Sequence, residues 1–214
     1  MTLPGEEGRP ADPGKPFGDI DIDAALRERL DWVCAEGRTL WTRFDVEVSR
    51  QRWHPFVPAE TGPLLRALIG LRGGGRRFLE WGSGMGVITI MADLLGFEAC
   101  GIELDAALVE VARDLARRAG SGARFAAGSF IPAGYEWKPE DGDGRMGTIG
   151  DGAPAYEEIG RPLEEFDLVY VFPWPGEEPL MLDLMRRRGG AGARLLMNGS
   201  SRGLELYRDG LRVA

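Results

Sequence analysis

The chain is short of the side chains that most often hold metals or attack carbonyl groups. Its 214 residues include one histidine, His54, and two cysteines, Cys34 and Cys100, which lie in unrelated apolar contexts without C-x-x-C spacing. A zinc site or a Cys-His nucleophile has almost no material to be built from. Long apolar runs are also missing. Nothing approaches the ~18 consecutive apolar residues of a membrane span, and the N-terminus lacks the charged-then-apolar pattern of a secretory signal. A soluble, cytoplasmic protein with no membrane partner is therefore expected. Lysine is scarce, since all but Lys15 and Lys138 of the 26 cationic side chains are arginine. The acidic excess (34 Asp and Glu, net charge −8) works against a general nucleic-acid binder, because phosphate binding needs a basic footprint. What is present is enough apolar material, 43% of residues, for one domain with a sizeable core.

Residues 1–19 hold four Pro and four Gly with few large apolar groups and read as a flexible tail. The rest, 20–214, reads as a single domain, with N-terminal helices over 20–72 and a core over 77–214. Asp23 is placed to cap a helix carrying Leu26, Leu30 and Val33. A second amphipathic stretch holds Leu40, Trp41, Phe44 and Val48. A third helix begins at Thr61-Gly62-Pro63, carries Leu64, Leu65, Leu68 and Leu71, and stops at Gly73-Gly74-Gly75. Strand signals then alternate with helix signals: strands over 77–81, 99–103, 124–127, 166–172 and 193–197, helices over 85–95, 105–120 and 177–188. Such alternation implies a mostly parallel sheet with helices on both faces. Asp209-Gly210 between alternating residues predicts a closing antiparallel hairpin. Between strands lies the segment 133–162, whose part from 140 to 152 holds five Gly and four acidic residues. It reads either as a loop beside an active site or as a tolerated insertion. A calcium loop counted from Asp141 fails, because Met146 takes the place of the required glycine and Gly152 that of the required glutamate.

The most informative residues are Glu80-Trp81-Gly82-Ser83-Gly84-Met85-Gly86, where a predicted strand turns into a predicted helix. Glycines there let the backbone turn tightly and approach a ligand, while the helix start offers free N–H groups. A dinucleotide fingerprint counted from Gly82 would need its third glycine at Val87, and that glycine comes one place early, at Gly86. A second signal is Gly101-Ile102-Glu103-Leu104-Asp105, with an acidic residue at the end of the next apolar run. The pair resembles motif I and the following strand-end acid of class I, seven-β-strand, S-adenosylmethionine-dependent methyltransferases. The resemblance covers roughly 77–197 and implies a three-layer Rossmann-like methyltransferase fold with S-adenosyl-L-methionine as cofactor. It implies Glu80 near the cofactor's methionine moiety, Gly82, Ser83, Gly84 and Gly86 against its body, and Glu103 with Leu104 at the ribose. A carboxylate can accept from both vicinal hydroxyls at once.

Two departures from the family pattern stand out. The third strand often ends there in an acidic residue for the adenine amino group, whereas this sequence reads Ala127-Gly128-Ser129-Phe130. Ser129 as acceptor with Phe130 flanking the base is one reading; a strand end followed by a core Phe is the other. The helix expected after the fifth strand is missing or very short. At the fourth strand end, amino-methylating relatives carry Asp or Asn before Pro-Pro and an aromatic. This chain has Phe172-Pro173-Trp174-Pro175-Gly176-Glu177-Glu178. Trp174 as a pocket wall and Glu177 as a base or acceptor-attracting group stand against a plain first helical turn favoured by its dipole. His54, in Arg52-Trp53-His54-Pro55-Phe56, is the remaining candidate base. The leading expectation is methyl transfer to a small-molecule or protein acceptor, with nucleic acid disfavoured. The alternatives are a methyltransferase-fold binding or interaction protein and, opposed by the glycine spacing, a nicotinamide-dependent oxidoreductase.

Overall fold

The computed structural model describes residues 22–49, 57–138, 152–199 and 203–213. Its centre is a seven-stranded sheet. In chain order the strands are β1 (Arg77–Trp81), β2 (Glu98–Glu103), β3 (Arg124–Ala127), β4 (Leu168–Val171), β5 (Arg194–Gly199), β6 (Gly203–Arg208) and β7 (Leu211–Arg212). Their spatial order is β3-β2-β1-β4-β5-β6-β7, parallel through β5 and antiparallel at β5–β6 and β6–β7. The helices are α1 (Ala24–Phe44), α2 (Thr61–Leu71), α3 (Val87–Leu94), α4 (Ala106–Ala119), α5 (Tyr156–Ile159) and α6 (Glu178–Arg188). The three-layer α/β architecture with a C-terminal antiparallel hairpin and preceding helices is the one expected from the sequence.

Strand alternation sorts the core into two layers. Phe78, Ala99, Phe125, Leu168, Tyr170 and Leu196 pack on one face with α1 to α4. Leu79, Cys100, Ala126, Val169, Val171, Leu195 and Met197 pack on the other with α5 and α6. Because both faces are covered, the strands read as continuous apolar runs, and the period of two decides which side chain meets which layer. Glu80 and Tyr170 are register partners on β1 and β4. Tyr170 lies in the α1–α4 layer, and Glu80 reaches α3 on the same side.

The expected pair of N-terminal helices before Thr61 is corrected to one. Asp23 Oδ1 caps α1 by accepting from Ala25 and Leu26, and the helix runs through to a π-helical turn at Asp45–Ser49. Gly37 does not break it. Gly37 is buried at a crossing with α3 so close that a Cβ there would lie 2.5 Å from Val87 Cγ2. The expected tail and most of the glycine-rich acidic segment, at 139–151, lie outside the described residues. No described helix is long and apolar enough to cross a membrane.

Candidate functional site

In an open α/β sheet, ligands sit beyond the carboxyl ends of the strands where the strand order reverses. Here the reversal falls between β1 and β4, and the glycine turn follows β1. Gly82, Gly84 and Gly86 have φ of 70°, 51° and 78°, a left-handed backbone that side-chain-bearing residues rarely adopt. The turn is held from below by Ile102, whose carbonyl accepts from the N–H groups of both Gly82 and Ser83. Gly101 gives it room, because a Cβ there would lie 2.7 Å from Ser83 Cβ.

Two carboxylates organise this turn. Glu103, at the end of β2, accepts from Gly84 N–H (2.8 Å) and from Asp105 N–H (3.0 Å), so it ties the glycine turn to the start of α4. Asp105 in turn caps α4 through Ala107 N–H. Glu80 is buried and accepts from the backbone N–H (2.9 Å) and hydroxyl (2.5 Å) of Thr89. It thereby does for the first turn of α3 what a neighbouring cap residue does elsewhere. Burial pushes its carboxyl up to about 8; the Thr89 bonds pull it down, and the Glu103 charge adds to the rise.

A cavity of about 670 Å³ opens beside this turn. Its walls include Cys34, Arg38 and Trp41 of α1, residues 57–63 and Arg66, Glu80 of β1 with Gly82 and Ser83 after it, and Tyr170 and Phe172 at the end of β4. The size suits a small-molecule site. Two polar atoms in its wall are buried without a hydrogen-bond partner among the described residues, Ser83 Oγ and Tyr170 Oη. Tyr170 is 1% exposed, and burial, with the Glu80 charge adding, holds its hydroxyl protonated well above the ordinary tyrosine range. Burial also pushes the Cys34 thiol up to about 11, against the Thr61 hydrogen bond and the Arg38 charge, so it faces the cavity as a neutral thiol.

Comparison with known proteins adds likenesses among solved structures. No family model matches the chain, and no curated protein matches it. The chain is similar to an RNA methyltransferase from Salinibacter ruber in complex with S-adenosyl-L-homocysteine, at 20% identity over 66% of this chain and 76% of that one, TM-score 0.48. It is similar to a protein from Pyrococcus horikoshii OT3, at 16% identity over 73% of this chain and 64% of that one, TM-score 0.47. It is also similar to precorrin-6y C5,15-methyltransferase from Geobacter metallireducens GS-15, at 14% identity over 68% of this chain and 65% of that one, TM-score 0.45. The chain spans less than two thirds of the length of the last two.

The residues singled out in the sequence divide between site and core. Glu80, Gly82 and Ser83 line the cavity, and Gly84, Gly86, Glu103 and Leu104 lie along the turn and the β2 end beside it. Leu104 is 36% exposed, an apolar side chain next to Glu103. Ser129 and Phe130 go to the core. Ser129 pairs through its backbone with Ala153 and Ala155, while its buried Oγ accepts from Ile131 N–H. Phe130 stacks on Trp81 at 4.9 Å and is 2% exposed, which leaves no ring face for a base. The reason is the chain returning at 153–156, where Tyr156 donates to the Phe130 carbonyl and accepts from Trp81 Nε1.

The β4 turn is corrected in the same way. Glu177 is fully buried and accepts from Trp174 N–H (3.0 Å), and Glu178 accepts from Gly176 N–H (2.8 Å), so both carboxylates brace the turn before α6. Neither Glu177 nor Trp174 is among the described residues that line this cavity. His54 lies outside the described residues. Sequence reasoning missed Tyr170, Phe172, Arg38 and Arg66. Tyr170 reads as an ordinary buried strand residue, and only the strand order brings it beside Glu80 and into the cavity wall.

Proposed function

We propose that the chain is an S-adenosylmethionine-dependent methyltransferase whose acceptor is a small molecule or a protein side chain. One observation carries this reading. At the strand-order reversal the left-handed glycines of the first βα turn meet the strand-end acid Glu103, which already accepts the Gly84 N–H. The residues fit the cofactor. Glu103, tied to Gly84 and Asp105 through their N–H groups, puts a carboxylate at the strand end, a group that can accept from two vicinal hydroxyls. Gly82, Ser83 and Gly84 offer close backbone approach, Leu104 an apolar flank for the base, and Glu80 a carboxyl oxygen that can accept from the amino group of the methionine moiety. The group itself supplies an electrophilic methyl on a sulfonium. The protein's part is to align an acceptor with it and keep water away, tasks for a shaped cavity with few charges. The acidic surface and the bounded cavity favour a small molecule or side chain over nucleic acid.

Calorimetry with S-adenosylmethionine, S-adenosylhomocysteine and NADH tests the reading directly. The sulfur compounds are expected to bind and NADH not; binding of the nicotinamide alone overturns it. Gly84→Val blocks backbone approach, and Glu103→Ala removes the ribose acceptor together with the bond to Gly84. Each is expected to weaken binding about 10- to 100-fold, the worth of hydrogen bonds to a charged group. A second reading, a binding protein of this fold with little catalysis, draws on Glu177 being braced inside the β4 turn. A labelled-methyl screen separates the two.

A further inference from the structure

The cavity is larger and differently furnished than the methionine end of a cofactor requires. Much of its wall comes from α1 and from 57–66, which the glycine turn does not explain. Cys34, Gly37, Arg38 and Trp41 fall at helical spacing and present one face of α1 to it. Trp41, Val57, Pro58, Ala59, Met85 and Phe172 make an apolar body with two aromatic side chains.

Cationic groups gather at one side. Arg38 and Arg66 line the cavity, are exposed, and have no salt bridge among the described residues. Between them begins α2, an 11-residue helix whose first residues, Thr61 and Gly62, are also in the wall. Glu60 precedes it without making a side-chain cap and Pro63 has no N–H, so the Thr61 and Gly62 N–H groups carry the partial positive charge of this helix start. Arg38 and Thr61 both act on Cys34, which places them at the same point of the wall. Among the described residues the acidic groups in the wall are Glu60, exposed, and Glu80, buried and bonded to Thr89. At another part of the wall, beside the glycine turn, are the unpartnered Ser83 Oγ and Tyr170 Oη, in residues 6% and 1% exposed. A buried hydroxyl without a partner costs stability, about 1–3 kcal/mol. Each exposes less than 1 Å², so neither presents itself to a molecule in the cavity, and recognition falls to the cationic side.

We infer that this cavity binds a small, flat, apolar carboxylate. Its ring lies against Trp41 and Phe172, and its carboxylate on Arg38, Arg66 and the start of α2. That the bound molecule is the methyl acceptor rests on the function proposed above; that it binds does not.

Calorimetry on the full chain with 4-hydroxybenzoate, benzoate and the neutral 4-hydroxybenzamide tests this. The carboxylates are expected to bind, the amide about tenfold or more weaker, in line with charge-assisted bonds to guanidinium. Arg38→Gln combined with Arg66→Gln brings 4-hydroxybenzoate down to the level of the amide. If the double variant fails to fold, Arg66→Gln alone gives the same trend at smaller size. Equal binding of amide and carboxylate, or no binding of any of the three, overturns the inference. S-adenosylhomocysteine measured on the same samples keeps the two readings apart. If it binds and the carboxylates do not, the cavity inference alone fails; if the carboxylates bind and it does not, the proposed function fails and the cavity stands.

Discussion

Glu80 holds the N-terminus of α3 from nine residues upstream, and the same burial that fixes it makes its charge expensive. The folded chain keeps a proton on this carboxyl up to about 8, where an unfolded glutamate loses it near its ordinary value of 4.5. Between those values the folded state binds more protons than the unfolded one. The stabilising contribution is therefore fully present below 4.5 and is lost as pH rises through 8. Asp167 works in the opposite sense. Burial raises it, but the Arg77 side chain and the backbone N–H groups of Arg76 and Arg77 outweigh that and hold it below 3.8. Its contribution is present above 3.8 and fades only at acid pH, outside the Glu80 window. Urea unfolding at about pH 5 and pH 8 is expected to show stability falling with pH by the order of a few kcal/mol, and Glu80→Gln is expected to remove most of that slope. An unchanged slope in the variant would show that the proton sits elsewhere.

At the scale of elements, the first βα turn is fixed by contacts as much as by backbone freedom. Gly86 begins α3 with φ 78°, and a Cβ there would lie 2.6 Å from Phe125 Cζ and 2.8 Å from Ala112 Cβ. Gly86→Ala combines left-handed strain with overpacking between β3 and α4 and is expected to cost about 2–4 kcal/mol in chemical denaturation. Gly70→Ala is the control. Gly70 lies near the end of α2 with nothing within 4 Å of an added Cβ, so that change is expected to be neutral or stabilising by about 0.5–1 kcal/mol. Equal losses in the two variants would show that the crowding around Gly86 is relieved at no cost. The strands and most helices were legible in the sequence because apolar runs and cap residues such as Asp105 are local signals. What was misread turned on contacts between distant segments. The stretches around Leu30 and Trp41 read as two helices, and the structure joins them in α1, with Gly37 packed against α3 between them. Ser129 and Phe130 read either as a ligand edge or as a strand end followed by core, and the return of 153–156 over them gives the second.

The whole molecule divides its work between two faces and two ends of the sheet. The α5–α6 layer and the β5–β6–β7 hairpin carry none of the cavity-lining residues, while the α1–α4 layer meets the cavity at the carboxyl ends of β1 and β4. The glycine turn and Glu103 were legible because their spacing is local. The cavity was not, since its wall joins residues from 34 to 172 that only the strand order brings together. Hydrogen exchange on the intact chain can read this division. A ligand that binds only the folded state raises protection most where it removes local opening. S-adenosylhomocysteine is expected to slow exchange at 82–89 and 103–107, the turn and the two helix starts tied to Glu80 and Glu103. The hydroxybenzoate probe is expected to slow 34–41 and 57–66 as well as the β4 end near Tyr170. The two patterns meet at Ser83. Neither ligand is expected to change exchange in 203–213, on the far edge of the sheet. Protection spread evenly over both layers would show that the ligands stabilise the fold as a whole without contacting these segments, and would detach the cavity from the glycine turn.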